Sequence, residues 1–234
     1  MSQKKNQGGY KILSLLSEIG IVTIGILIAY QLNNWKEVSS LKNAEEKMLQ
    51  EIKANLELDL IDLKGNRNAH KTALSIIDTL GIIAENDVYN DEIPLLIRHA
   101  LRDFVFNPQT SAFETLKAKG VHLITNDSIR IRILRLYDFE YHTIEKVEES
   151  YEPHQFSSYY RHIVFNYFDG FDLSNKETIK PIYPGTKWLL NSDVKNRLDL
   201  TKSEHQFALR LYDGSIAEVI QLIQTIQEEI ETEF

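Results

Sequence analysis

Seven histidines, His70, His99, His122, His142, His154, His162 and His205, are the side chains best suited to metal or acid–base chemistry in this chain of 234 residues. A helical di-metal site needs Glu-x-x-His, which puts both ligands on one face. The residues three before the histidines are Arg67, Leu96, Lys119, Phe139, Tyr151, Tyr159 and Lys202, none of them acidic. His-Glu-x-x-His is absent too. Asp138 and His142 stand at i,i+4, a spacing that offers two ligands but is more often a solvated pair. The absence of cysteine removes disulfides, thiol nucleophiles and thiolate ligands together. Neither a Gly-x-Ser-x-Gly elbow nor a Gly-rich phosphate loop occurs. The carboxylate pairs Glu148-Glu149 and Glu228-Glu229 read as solvated helix faces. On this evidence the sequence predicts no enzyme, no metal site and no cofactor.

Two groupings remain that could hold a ligand or a partner. Eleven of the chain's aromatics fall between Tyr137 and Phe171. Most serve a core that uses rings for volume, and the sharper reading is an aromatic-lined surface that includes Tyr137 and Tyr141. Arg98, Arg102 and Arg130 belong to the densest arginine group, with Arg98 and Arg102 expected on one helical face. They could hold an anion, although pairing with Asp103 and Asp138 is the commoner outcome.

These residues need elements to position them, and the strongest element signal lies near the start. Residues 12–32 read ILSLLSEIGIVTIGILIAYQL, twelve of them Ile, Leu or Val. As a helix they would rise ~31 Å, matching a hydrocarbon core of ~30 Å. At ~−0.5 kcal/mol each the twelve contribute ~−6 kcal/mol, against at most ~3 kcal/mol for the charge of Glu18. Tyr10, Tyr30 and Trp35 sit where amphipathic rings favour the headgroup layer. The run is long for a signal peptide, and no small-x-small cleavage site follows it. The sequence thus predicts a basic tail at 1–11, a transmembrane helix at 12–32 and a soluble helical domain at 33–234. Gly25 and Ala29 form a small-xxx-small pair suited to helix association. Glu18 is the intramembrane polar residue and would reach the headgroup layer or find a partner. Three lysines precede the span (Lys4, Lys5, Lys11) and three follow it (Lys36, Lys42, Lys47), so counted basic residues leave the orientation tied. The short basic tail and long acidic domain suggest a signal anchor with a cytoplasmic N-terminus and an extracytoplasmic domain.

The stretch EIGIVTIGILIAYQLNNWKE at 18–37 resembles the N-terminal signature of a family of bacterial single-pass membrane proteins of unknown function. Gly25 to Ala29, Gln31, Leu32, Asn33, Asn34, Trp35 and Glu37 match it. A second stretch, SAFETLKAKGVHLITND at 111–127, is similar to a family motif in which a short helix ends in Lys-x-x-Gly, with Lys117 and Gly120 in the expected places. The resemblance implies an anchor and a helical domain, and it implies no activity.

Beyond Trp35, Leu41, Ala44, Met48, Ile52, Leu56, Leu60 and Leu63 recur every three or four residues, one stripe along a helix or coiled coil. Gly65 is its weak point. The pattern resumes from Ala73 to Leu80 and dissolves at 85–90. A helix is expected at 92–104 with Pro94 in its first turn. Ser111-x-x-Glu114 is a capping box, Gly120 stops its helix, 121–125 is an extended link, and Asn126 or Asp127 caps the next helix, which Pro153 should kink or split. Ser192 caps a short helix, and Thr201-x-x-Glu204 is a second capping box that opens the last one. The fold class is therefore all-α: the membrane helix continues into an antiparallel bundle with long first and last soluble helices.

The net charge of −8 makes a nucleic-acid partner a poor match. The expected partners are the lipid bilayer and a protein, or a second copy, met through helices. The expected function is a membrane-anchored interaction or scaffold protein. The alternative is an extracytoplasmic ligand-binding or sensory domain.

Overall fold

A computed structural model describes residues 7–87, 89, 91–169, 180–182 and 185–234, and of 7–14, 17, 180 and 181 only the backbone. The chain is all-α. Helix α1 (Gln7–Asn86) is 80 residues long and passes Gly65 without a break. Short helices follow: α2 (Ile93–Ala100), α3 (Ser111–Lys119), α4 (Asp127–Arg135), α5 (His142–Ser150) and α6 (Phe156–Tyr167). Helix α7 (Ser192–Glu233) closes the chain with 42 residues. A two-residue antiparallel pairing, β1 (Phe168–Asp169) with β2 (Lys180–Pro181), is the only extended pairing among the described residues.

Helices α1 and α7 run antiparallel. Lys42 Nζ reaches the Glu233 carbonyl at 3.1 Å, Arg67 pairs with Asp213, and Lys202 pairs with Asp78. The predicted stripe is the buried face: Met48, Ile52, Leu56 and Leu63 are fully covered, as are Ala73, Leu80 and Ala84. Two hydrophobic clusters result. One joins Met48 to Leu63 with α3, α4, α5 and the second half of α7. The other joins Ile77 to Ala84 with α2, α6 and the start of α7.

N-terminal to this contact, α1 has no cover. Every large apolar residue from Leu15 to Leu41 is 49% to 72% exposed. The expected span at 12–32 lies partly outside the described side chains. Among the described residues no helix is long and apolar enough to cross a membrane.

Several local expectations are corrected. Helix α2 stops at Ala100, because the chain turns extended at 102–110 to cross α1. The first capping box does not form: Thr110 is the N-cap, and the Ser111 hydroxyl accepts from Asn55 at 3.2 Å. The link after Gly120 begins as a 3-10 turn, Val121–Leu123. The second capping box is absent because α7 starts earlier. Asn191 caps it, accepting from the Asp193 N–H, and Thr201 lies buried inside the helix. Between α4 and α5 the helix loosens into a π segment, Leu136–Tyr141, that nothing in the sequence pattern announced. The cap at Asn126 forms as expected, accepting from the N–H groups of Ser128 and Ile129. Gly120 ends α3 at φ 100°, a conformation that favours glycine. The helix after α4 ends at Ser150, and Pro153 stands in a separate 3-10 turn, as a proline split requires.

These caps give a direct test by chemical unfolding of the full chain in detergent. Asn126→Ala is expected to lose about 1 kcal/mol or more, because its amide also donates to Glu229 at 2.8 Å. Thr201→Val should be neutral or stabilising, since the buried Thr201 hydroxyl has no partner among the described residues. A loss of about 1 kcal/mol at Thr201 would restore the capping-box reading.

Candidate functional site

The residues expected to form an anchor all lie on the uncovered arm of α1. Glu18, Gly25 and Ala29 are exposed, and nothing lies within 4 Å of where a Cβ at Gly25 would sit. Tyr30 and Trp35 are exposed at the domain-facing end of the arm. The side chain of Tyr10 lies outside the described residues.

The expected arginine and aromatic surface does not assemble. Tyr137 and Tyr141 are core residues. Tyr137 stacks on Phe113 at 4.5 Å between centroids, and Tyr141 meets Phe106 edge-on at 4.8 Å. Arg98 and Arg102 share no helical face, because α2 ends between them. Arg130 belongs to the other cluster's end of the molecule, where it donates to the Ile124 carbonyl and pairs with Asp127. The suggested partners are taken: Asp103 accepts from the Ser157 N–H, and Asp138 pairs with Lys117. Asp138 and His142 form no ligand pair either, since His142 faces Glu145.

Sequence reasoning missed a buried polar layer between the two hydrophobic clusters. It holds His70 from α1, His154 from the 3-10 turn Glu152–His154, and His205 from α7, ringed by Phe104, Phe156 and Tyr212. His70 Nδ1 and His205 Nδ1 are 2.8 Å apart, and His205 Nε2 is 3.0 Å from the Ala100 carbonyl. A carbonyl only accepts, so His205 carries its proton on Nε2 and His70 donates from Nδ1. This assignment is that of two neutral rings, and burial holds both neutral. Burial, followed by the neighbouring histidines, lowers His70 to about 3. Burial, then His154, lowers His205 to about 4 despite the bond to Ala100. His154 is also lowered by burial, opposed by Glu204 at 3.4 Å.

Two carboxyls are buried as well, Glu148 beside the layer through Tyr212 and Asp59 farther along α1 among Gln109, Tyr137 and Tyr141. Glu148, expected in solvent, accepts the Phe106 N–H at 2.8 Å and the Tyr212 hydroxyl. Asp59 accepts the Gln109 N–H at 2.6 Å. Burial pushes Glu148 up to about 7 and Asp59 up to about 6, each held down in part by its backbone donor. No group of metal-binding geometry occurs among the described residues. The layer ties α1 to α7 through the His70–His205 bond, while His70 Nε2 and His154 Nε2 are buried without a hydrogen-bond partner among the described residues. One signal could have found it: His70 and His205 continue the apolar stripes of α1 and α7, where a polar residue must be buried.

Fold and site together define an all-α chain in which two long antiparallel helices clamp short ones around a polar layer and one long helix runs on as an uncovered apolar arm. The chain belongs to the family of unknown function DUF6090, whose model matches residues 18–179. The match begins at Glu18 inside the arm, and it meets the expectation of an uncharacterised family. No curated protein and no solved structure matches the chain.

The layer makes stability depend on pH in two opposed ways. The histidines, lowered in the fold, contribute stability that is present above pH ~6.5 and lost as pH falls toward ~4. Asp59 and Glu148, raised in the fold, contribute stability that is present at low pH and lost as pH rises through about 6 and about 7. Glu148→Gln removes one opposing group. Its stability relative to wild type is expected to climb by roughly 1 kcal/mol per pH unit between pH ~4.5 and ~6.5. Urea unfolding at a series of pH values measures this, and parallel curves would refute the raised Glu148.

Proposed function

We propose that this chain is a single-pass membrane protein whose helical bundle, residues 33–234, acts as an interaction or scaffold domain. The observation that carries the reading is the uncovered arm of α1. Ten aliphatic side chains between Leu15 and Leu32 are each more than half exposed. Burying them contributes on the order of 10 kcal/mol, and nothing within the described chain does so. Lipid covers such a helix on all sides. Residues 12–32 form the span, Tyr30 and Trp35 lie at its domain side, and Glu18 lies nearer its other end. The N-terminus is cytoplasmic and the domain extracytoplasmic on this reading. Partners are other proteins or a second copy, the Gly25 and Ala29 face being suited to close helix approach.

The reading is tested in membranes. Wild type is expected in the membrane pellet, resistant to alkaline carbonate and released by detergent. The double variant Ile24→Lys, Ile28→Lys adds ~6 kcal/mol, equal to the whole gain of the span, and should move to the supernatant. Wild type in the supernatant without detergent would overturn the anchor.

A further inference from the structure

The geometry points to a docking cleft for an acidic, apolar peptide segment on the side of the bundle, between the π segment and the middle of α7. The inference rests on reading the chain as an interaction protein and names the chemistry of its partner. The cleft has a volume of about 440 Å³. Two irregularities meet across it. One wall is the π segment with the start of α5, and π segments recur at functional sites. The other wall is α7 at Gly214, a residue unfavourable inside a helix. Packing does not demand this glycine, because nothing lies within 4 Å of where its Cβ would sit. What its missing side chain does is leave the cleft open.

The floor is apolar, from Ile144 and Leu211, and Phe139 stands beside it 64% exposed. The charges around it are unevenly matched. Glu140 is taken by Arg135 at 3.2 Å, and Glu218 by Arg132 at 2.8 Å. Arg210 lies over the Phe207 ring and has no carboxylate partner among the described residues. Two arginines and two glutamates line the cleft, and with both glutamates paired the cleft keeps Arg210 as its one uncommitted charge among the described residues. It suits one large apolar side chain on the floor and a carboxylate beside it, facing Arg210. A free small molecule fits less well. Gly214 and Ala217 are exposed along the cleft, so it is open lengthwise, whereas small-ligand sites enclose most of their ligand.

The test uses the purified full chain in detergent, so membrane location is not at issue. A phage-displayed library of random octapeptides is selected on wild type, Gly214→Leu and Arg210→Glu. Wild type is expected to enrich peptides with Asp or Glu next to Phe, Leu or Ile. Gly214→Leu, which fills the cleft with a better helix former, should bind those peptides at least tenfold more weakly while melting no lower than wild type. Arg210→Glu should enrich basic instead of acidic peptides. The proposal is overturned by no enrichment, by the same consensus on Arg210→Glu, or by unimpaired binding to Gly214→Leu. Self-association lost in Gly214→Leu, with no peptide enriched, would assign the cleft to a second copy and overturn it as well.

Discussion

An all-α chain satisfies its backbone within helices, and every segment between helices must find acceptors elsewhere. Here carboxylates supply them. The extended crossing at 102–110 hangs on four: Glu148 takes the Phe106 N–H, Asp62 that of Asn107, Asp59 that of Gln109, and Asp103, within the crossing, caps the start of α6 through Ser157. Glu45 takes both the N–H and the hydroxyl of Thr125, and Asp87 takes the N–H groups of Thr186 and Lys187. At the last of these the backbone is shaped to fit. Asp87 has φ 52°, and a Cβ at Gly185 would run into its carboxylate. Without these acceptors the short helices would have no fixed position on α1, and neither the polar layer nor the cleft would exist.

The same bonds explain why acidic groups are tolerated inside. A buried carboxyl with no donor is costly, and one with a backbone N–H recovers much of that cost. Glu148 and Asp59 are only partly compensated, which is why both titrate above the ordinary carboxylate range. Beside Glu148 the histidines stay neutral, which limits the charge inside the layer. Its bonds are directional, which the hydrophobic clusters on either side are not. Sliding α7 by one residue against α1 would leave leucines in contact with leucines but would break the bonds of His205 to His70 and to Ala100.

Periodic and local features were legible in the sequence. The stripe from Met48 to Leu63, the stop at Gly120, the cap at Asn126 and the proline in α2 follow from spacing and from single-residue stereochemistry. Features that depend on pairing between distant segments were not. Ser111 and Thr201 match a capping box in one dimension, but α3 is entered through Thr110 and α7 begins nine residues before Thr201. Glu148 and Glu149 look alike in sequence, yet only Glu148 meets Phe106, 42 residues away. The aromatic run divides: Tyr137, Tyr141, Phe156, Tyr160 and Phe168 are core, whereas Phe139, Tyr151 and Phe165 are exposed, because the run crosses several helices with different buried faces. The π segment inserts no signature residue, so its 136–141 stretch read as ordinary helix.

The arm and the bundle share one helix, and this sets how they can act on each other. A flexible linker would let the domain move independently of its anchor. Helix α1 has no such joint: it passes Gly65 while packed on α7, and it leaves the bundle near Lys42 still helical. The glycine is tolerated because the flanking turns are clamped by Leu63 on one side and His70 on the other. A rotation of the arm about its axis is therefore transmitted to the bundle as a rotation of the same helix. The face of α1 turned toward a neighbour in the arm thus dictates which face of the domain that neighbour meets, so contacts made by Gly25 and Ala29 would set the orientation of the cleft at Gly214 as well.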